Sequence, residues 1–500
     1  MKKYCLAIAL VALLALVGCA EHEHSWNSGV VTKDATCTEK GEMTYTCLVC
    51  EATRTEEIDA IGHKWDDGAV TTNPSCTDAG VKTFTCTVCK ETKTEGIPAT
   101  GHTLKDDDWT FDPESFTYVQ DCEVCKKQQH KEVESGVRVQ GINGFENTLY
   151  NSPNDAYAAI NEFLGKAENG GLDQNSLNEK TFKSIFTDVD ENGDAQVIWT
   201  IYGEQEMIED SEHQYFMTFG RKAAHYGNNL HLSRIVIVGG NESAKLQRST
   251  LTIPYEWWKG CTDKANITFK SISMEGVANA EGKNLVGLTQ GNTFGVIMNY
   301  EDCDIKGFLY CYINNEYELN VKDCRFDAVR GSEYSIHIQG SATAPAKVKI
   351  ENCTFSNSRG VNIDQATADA KISGCTFTNC GNLTGETENN YYGALQITKG
   401  STILVEGNTF NGCKGNAIQM WSDEKGGAFS GSLTIKGNRI ENCDYAFACY
   451  NQKDFTFASE GNVVVGTDAE NCFARLYTLN AENDKYEKSY KVIPSDRKLQ

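Results

Sequence analysis

Basic residues are scarce in this chain. Lysine and arginine number 46 against 69 aspartates and glutamates, a net charge of −23. A nucleic-acid partner selects a basic surface, so none is expected. Proline is scarce too, at 7, while glycine reaches 44. That combination suits turn-rich β structure. Past residue 17 no run is apolar enough to cross a bilayer, which excludes further helical spans. Cysteine is abundant, at 21, and falls into three groups. Five hundred residues allow two to four domains.

Between about residues 300 and 465, short phrases look alike. ENCTF starts at Glu351, SGCTF at Ser373, EGNTF at Glu406 and KGNRI at Lys436; looser copies are EDCDI at Glu301, KDCRF at Lys322 and EGNVV at Glu460. The second position holds Asp302, Asp323, Asn352, Gly374, Gly407, Gly437 and Gly461. These residue types tolerate the left-handed backbone of a sharp bend. An apolar residue stands three positions after each bend and, in all but the last, two before it, as in Ile350 and Phe355. A unit is therefore strand, bend, strand, recurring every 21 to 33 residues. A variable period around a constant core of short strands describes a solenoid with insertions in its loops. A second strand follows most copies: SIHIQ from Ser335, VNID from Val361, ALQIT from Ala394, AIQMW from Ala417 and AFACY from Ala446. The region resembles a right-handed parallel β-helix of the pectate-lyase-like type. The expected fold is all-β: that β-helix, preceded by small Cys/His-rich β repeat modules and one capping helix. The resemblance leaves activity open, because such folds host lyases, hydrolases, adhesins and spacers.

The N-terminus reads MKKYCLAIALVALLALVGC. Two lysines precede an apolar stretch over residues 6–17, the pattern of an export signal. LVGC, ending at Cys19, resembles a bacterial lipobox. The resemblance implies cleavage before Cys19 and acylation there, and several acyl chains anchor stably. An ordinary signal with a soluble product is the alternative.

His24, His63 and His102 stand 39 residues apart. Cys37 and Cys76 follow the first two by 13, Cys47 and Cys86 come 10 later, and Cys50 and Cys89 another 3. These units resemble repeats of surface proteins from anaerobic bacteria, which bring no defined activity with them. A Cys-x-x-Cys pair at a tight turn is a zinc-knuckle arrangement, and zinc takes four such donors. A degenerate third unit has Cys122, Cys125 and His130 but no upstream cysteine. If the leading histidine serves each unit, the sets are His24/Cys37/Cys47/Cys50, His63/Cys76/Cys86/Cys89 and His102/Cys122/Cys125/His130. If the trailing histidine serves, the third set has only three members. Disulfides are the alternative in an exported protein, though three cysteines per unit leave one unpaired. Modules of this size build little core, so a structural zinc is the expected cofactor.

Residues 151–164 read as a helix capped by Ser152, with Pro153 in the first turn and an apolar stripe of Ala158, Ile160, Phe163 and Leu164. It is the candidate cover for the open end of the solenoid. Asp188 to Asp194 resembles the start of a calcium loop but has Trp199 where the twelfth-position acid belongs, so a plain acidic turn is expected. Strands are expected near 198–202, 233–238 and 267–272. The expected divisions are a signal peptide at 1–18, Cys/His repeats at 19–62, 63–101 and 102–135, the β-helix with its cap at 136–475, and a polar, loosely held tail at 476–500.

Along the second strands, inward positions include Ile336/Ile338, Val361/Ile363, Leu395/Ile397, Ile418/Met420 and Phe447/Cys449. Outward positions are His337/Gln339, Asn362/Asp364, Gln396/Thr398, Gln419/Trp421 and Ala448/Tyr450. Stacked coils place these in a continuous strip, whose amides, carboxylate and flat aromatic suit a sugar chain. The candidate ligand-binding residues are His337, Gln339, Asn362, Asp364, Gln396, Gln419 and Trp421; an ordinary solvated face is the alternative. Cys303, Cys324, Cys353 and Cys375 are expected as one inward column, and Cys380, Cys413 and Cys443 as another, packing as small hydrophobes. The paired aspartates and Gly-His-Gly of polygalacturonase-like enzymes are missing. A lyase-like set of Arg330, Arg359 and His337 is conceivable, but no catalytic residue is assigned.

The expected whole is an exported protein, lipid-anchored to the bacterial cell envelope and facing outward. It displays a β-helix to a glycan or another extracellular partner. A surface polysaccharide lyase or hydrolase, and an inert spacer, are the alternatives.

Overall fold

The structure is a computed structural model. It describes residues 23–165, 184–206, 231–247, 265–278, 284–291, 296–313, 317–327, 334–340, 345–364, 367–382, 393–398, 402–421, 431–450, 455–466, 475–480 and 485–490. The expected signal segment, Cys19 and Arg330 lie outside these residues, as do the side chains of Leu164, Thr398, Trp421, Cys449 and Tyr450. The chain divides into two compact units. One holds the residues up to Thr110 with Val119–His130; the other holds Phe111–Tyr118 and Lys131–Gln500. Among the described residues no helix is long and apolar enough to cross a membrane.

The first unit contains two three-stranded antiparallel sheets, Val30–Lys33/Gly41–Thr46/Thr53–Ile58 and Ala69–Thr72/Gly80–Thr85/Thr92–Ile97. Their registers match: Thr44 faces Thr55 as Thr83 faces Thr94. A third sheet is built from Thr110–Asp112, Thr117–Asp121 and Gln128–Lys131. The outer strand Val30–Lys33 is exposed along its whole length. The buried hydrophobic residues of this unit are all cysteines: Cys37, Cys47, Cys76, Cys86 and Cys122. Leu48, Val49, Val88 and Val124, within the Cys-x-x-Cys turns, are exposed. These modules therefore have almost no apolar core to offset chain entropy.

The second unit is a parallel β-helix of three sheets. One coil is Tyr317–Lys322, Arg325–Asp327 and Ile336–Gly340; the next is Pro345–Glu351, Thr354–Ser356 and Val361–Asp364. Register is preserved coil to coil: Val321 pairs with Ile350, and Phe326 with Phe355. The left-handed bends fall where the phrases place them, at Asp302, Asp323, Asn352, Gly374, Gly407, Gly437 and Gly461, with φ between 52° and 66°. Each bend N–H donates to the last carbonyl of the next coil's first strand, as in Asn352 to Ser373 at 2.9 Å and Gly407 to Lys436 at 2.9 Å. A second corner repeats the device, from Asn379 to Asn411 at 3.0 Å and from Gly412 to Glu441 at 2.9 Å.

Three columns run through the interior beside the inward rows of the first and third sheets. Phe326, Phe355, Phe377 and Phe410 stack with centroids 4.9, 4.7 and 4.7 Å apart. Cys303, Cys324, Cys353 and Cys375 are buried in successive coils, continued by Asn408, Asn438 and Asn462. The asparagine side chains bridge coils: Asn408 N–H donates to Asn438 Oδ1 at 2.9 Å, and Asn438 N–H to Asn462 Oδ1 at 2.9 Å. Cys380, Cys413 and Cys443 form the third column. Burial pushes the Cys380 thiol up to about 11 and that of Cys311 to about 12, so both stay protonated and unreactive.

Both ends are closed by antiparallel strands, which end the parallel repeat and its open edge. At the start, Gly136–Gln140 pairs antiparallel with Asp194–Tyr202. The helix Pro153–Gly165 packs into the same core through Ala156, Tyr157 and Ile160. Ser152 Oγ accepts from the Asp155 N–H at 3.1 Å, as a cap should. Ala158, expected in the stripe, is exposed. The early strands are Asp194–Tyr202, His231–Gly239 and Ala265–Lys270. Residues 188–194 make an acidic turn closed by Asp190 Oδ1, which accepts from the N–H groups of Asn192 and Asp194. Trp199 is buried, so it points into the core. The tail is not all loose: Arg475–Asn480 extends the third sheet, and Lys485–Tyr490 folds back on it antiparallel.

Candidate functional site

The Cys/His positions are placed by short backbone pairings. Trp26 pairs with Cys47 and Trp65 with Cys86 in antiparallel bridges. The amide after each of these cysteines donates to the carbonyl after the histidine: Leu48 to Ser25 at 2.9 Å and Thr87 to Lys64 at 2.9 Å. That brings each leading histidine to the second cysteine of its own unit. His24, His63 and His102 present Nδ1 at 3.4 Å to the Sγ of Cys50, Cys89 and Cys125. The turns are closed from Glu51 to Cys47 and from Lys90 to Cys86, each at 3.0 Å. The histidines rest on tryptophans, His24–Trp26 at 5.0 Å and His63–Trp65 at 4.8 Å between centroids. His63 also turns Nε2 to Glu91 Oε2 at 3.4 Å, an outer carboxylate that orients the ring.

The upstream cysteines do not join their own units. The assembled sets are Cys37/His63/Cys86/Cys89 and Cys76/His102/Cys122/Cys125, with a three-donor set His24/Cys47/Cys50; donor atoms in each lie within 4.8 Å of one another. This corrects the sets expected from counting. Cys37 and Cys47 flank the strand Gly41–Thr46 at opposite ends. A six-residue strand spans about 20 Å, too far for one ion to bridge. His130 sits in the strand Gln128–Lys131, and Cys76 takes the place assigned to it.

Across each four-donor set, Cys37 Sγ lies 3.7 Å from Cys86 Sγ, and Cys76 Sγ lies 3.8 Å from Cys122 Sγ. A disulfide needs about 2.05 Å. No disulfide joins the sixteen cysteines whose side chains are described. Burial tends to raise the Cys86 thiol, but the Cys89 amide, the His63 ring and the Val88 amide outweigh it and hold it down at about 5. The Cys125 amide does most to lower Cys122, also to about 5. Burial and the neighbouring thiols of Cys89 and Cys86 push Cys37 up to about 12. A shared cation would favour ionisation of Cys37 beside Cys86. The clusters can hold a metal ion.

On the β-helix, the third sheet brings the expected strip into register. Tyr310, His337, Asn362, Gln396, Gln419 and Ala448 form one column through successive pairings. Gln339 pairs with Asp364 in the column beside it. The strip is not an open face, however. Asn362 is 4% exposed, Gln396 9% and Gln419 0%. Around His337 it is more accessible. There His337 Nε2 stands 3.7 Å from Asp364 Oδ2, and the ring lies 5.2 Å from Tyr310 and 5.4 Å from Tyr334. Tyr334 OH donates to Gln396 Oε1 at 3.2 Å, and the Arg359 guanidinium lies 5.9 Å from the Tyr334 ring. Sequence reasoning missed the two tyrosines. The phrase FLYCYI, one coil before SIHIQ, carried the signal for Tyr310.

A family model described as the right handed beta helix region matches residues 310–484. No curated protein and no solved structure matches the chain. The chain thus carries a parallel β-helix region behind an array of small Cys/His modules.

Proposed function

We propose that this chain is a lipid-anchored protein of the bacterial cell envelope, in which zinc-stapled repeats carry a β-helix that binds a glycan. The anchor is the Cys19 thiol of the LVGC segment. Expressed in a bacterium fed labelled palmitate, the protein is expected to take up label and fractionate with membranes, and Cys19→Ala to do neither. Equal labelling of both would remove the anchor from the reading.

Zinc is supported by the donor spacing. A tetrahedral zinc with bonds of about 2.3 Å to sulfur and 2.0 Å to nitrogen has edges of about 3.8 Å between sulfurs and 3.5 Å from sulfur to nitrogen. The clusters offer 3.7 and 3.8 Å for the first and 3.4 Å for the second. Four protein donors fill such an ion, so its role is structural.

The observation that carries the glycan reading is the group around His337. Tyr310, Tyr334, His337, Gln339 and Asp364 bring aromatic faces, an amide and a carboxylate to the accessible end of the strip. Aromatic faces stack on sugar rings, and the polar groups meet hydroxyls. A glycan array probed with the full chain is expected to give a defined subset of ligands, with binding cut at least tenfold by Asp364→Asn. A blank array favours the spacer. The same His337–Asp364 approach beside Arg359 favours a second reading, a polysaccharide lyase; new unsaturated ends on uronate polymers would establish it.

A further inference from the structure

We infer that the metal ions clip consecutive repeats to one another instead of closing each repeat on itself. This rests on the zinc reading above and adds what the ions join. Each four-donor set takes one cysteine from a repeat and a histidine and two cysteines from the repeat that follows: Cys37 with His63, Cys86 and Cys89, then Cys76 with His102, Cys122 and Cys125. The strand Gly41–Thr46 holds Cys37 and Cys47 apart, and Gly80–Thr85 does the same for Cys76 and Cys86. Backbone contacts within each repeat hold its last residues, two positions before the next repeat's histidine, against the loop that carries the upstream cysteine. Ile61 N–H donates to Thr36 O at 3.0 Å, and Thr100 N–H to Ser75 O at 2.9 Å.

The crossed arrangement also accounts for the irregular ends of the array. Position 115, 39 residues after Cys76, is serine. A repeat with no repeat after it has no ion to complete, so its upstream cysteine is dispensable. An intra-repeat scheme would need His130 as the fourth donor, and His130 lies in the strand Gln128–Lys131 outside the assembled set. At the other end, the set His24/Cys47/Cys50 has three donors among the described residues, as expected for a repeat with no described repeat before it.

The physical consequence concerns how the repeats are held. Their buried hydrophobic residues are cysteines, so apolar packing contributes little between neighbours. Thiolate–zinc bonds are the main link from one repeat to the next, and metal occupancy decides whether neighbours keep a fixed mutual orientation.

The test is metal stoichiometry of paired variants in the full chain, by native mass spectrometry. Cys37→Ser with Cys89→Ser strikes one ion in the clipped arrangement, and the pair is expected to lose one equivalent. Cys76→Ser with Cys89→Ser strikes two ions and is expected to lose two. The reverse pattern, two for the first pair and one for the second, overturns the inference and leaves zinc intact. A wild-type chain that binds no metal overturns the zinc reading and this one with it. A second measurement needs no variant. Under limiting chelator, thiols alkylated together on loss of one ion are read by peptide mass spectrometry. Cys37 is expected to be labelled with Cys86 and Cys89; labelling of Cys76 with them instead overturns the clip.

Discussion

Stripping metal from the full chain is expected to abolish hydrogen-exchange protection across residues 30–97 and leave it intact across 296–465. The two regions differ in what holds them. In the repeats, buried hydrophobic residues amount to Cys37, Cys47, Cys76 and Cys86, and the outer strands lie open to solvent. Removing the ion leaves thiols that repel when ionised and pack poorly when protonated. Structural zinc contributes about 10–16 kcal/mol of apparent binding energy in small metal-folded peptides, far above what a few exposed strands supply. The β-helix depends on no such ion, because one continuous apolar cluster runs from Val137 to Val464. Exchange measured before and after a strong chelator, with the released metal quantified, checks this. Protection that persists in residues 30–97 after the metal has gone would refute the structural role.

Phe377→Ala is expected to destabilise the β-helix by about 3–5 kcal/mol, the usual cost of emptying a buried phenylalanine site. Phe377 is fully buried between Phe355 and Phe410, each 4.7 Å away and nearly parallel to it. Its column cannot close the gap, since ladder hydrogen bonds at Thr376 and Thr378 fix the coil spacing on both sides. Phe377→Leu keeps most of the volume and is expected to cost under about 1.5 kcal/mol. Urea unfolding of the two variants gives the comparison. Equal losses would show that the column is not close-packed.

Much of the solenoid was legible in the sequence, for a definite reason. A bend that needs positive φ accepts few residue types, so Asp302, Asn352 and Gly374 mark their positions individually. Two-residue alternation then fixes which side chains enter the core, and the Phe326 to Phe410 column follows. The metal sets were legible as residues but not as groups. Counting treats sequence distance as spatial distance, and the strand Gly41–Thr46 makes ten residues the longest path available. Had that strand been measured, Cys37 would have been sent to the next repeat. The cover over Asn362 and Gln419 was not legible, because alternation says which way a side chain points and not what lies over it. In the helix, Ile160 and Phe163 face the core as read, while Ala158 is exposed and Ala156 and Tyr157 are buried instead.

The bends carry a further consequence. Every corner amide reaches forward to the next coil in the same phase, at Asp323, Asn352, Gly374, Gly407 and Gly437 alike. Excising one whole coil would therefore join a donor row to an equivalent acceptor row, with no orphaned group at the seam. The same holds for duplicating one. Coil number in this architecture is thus free to drift between descendants, whereas the two antiparallel ends, which do not repeat, must be inherited unchanged.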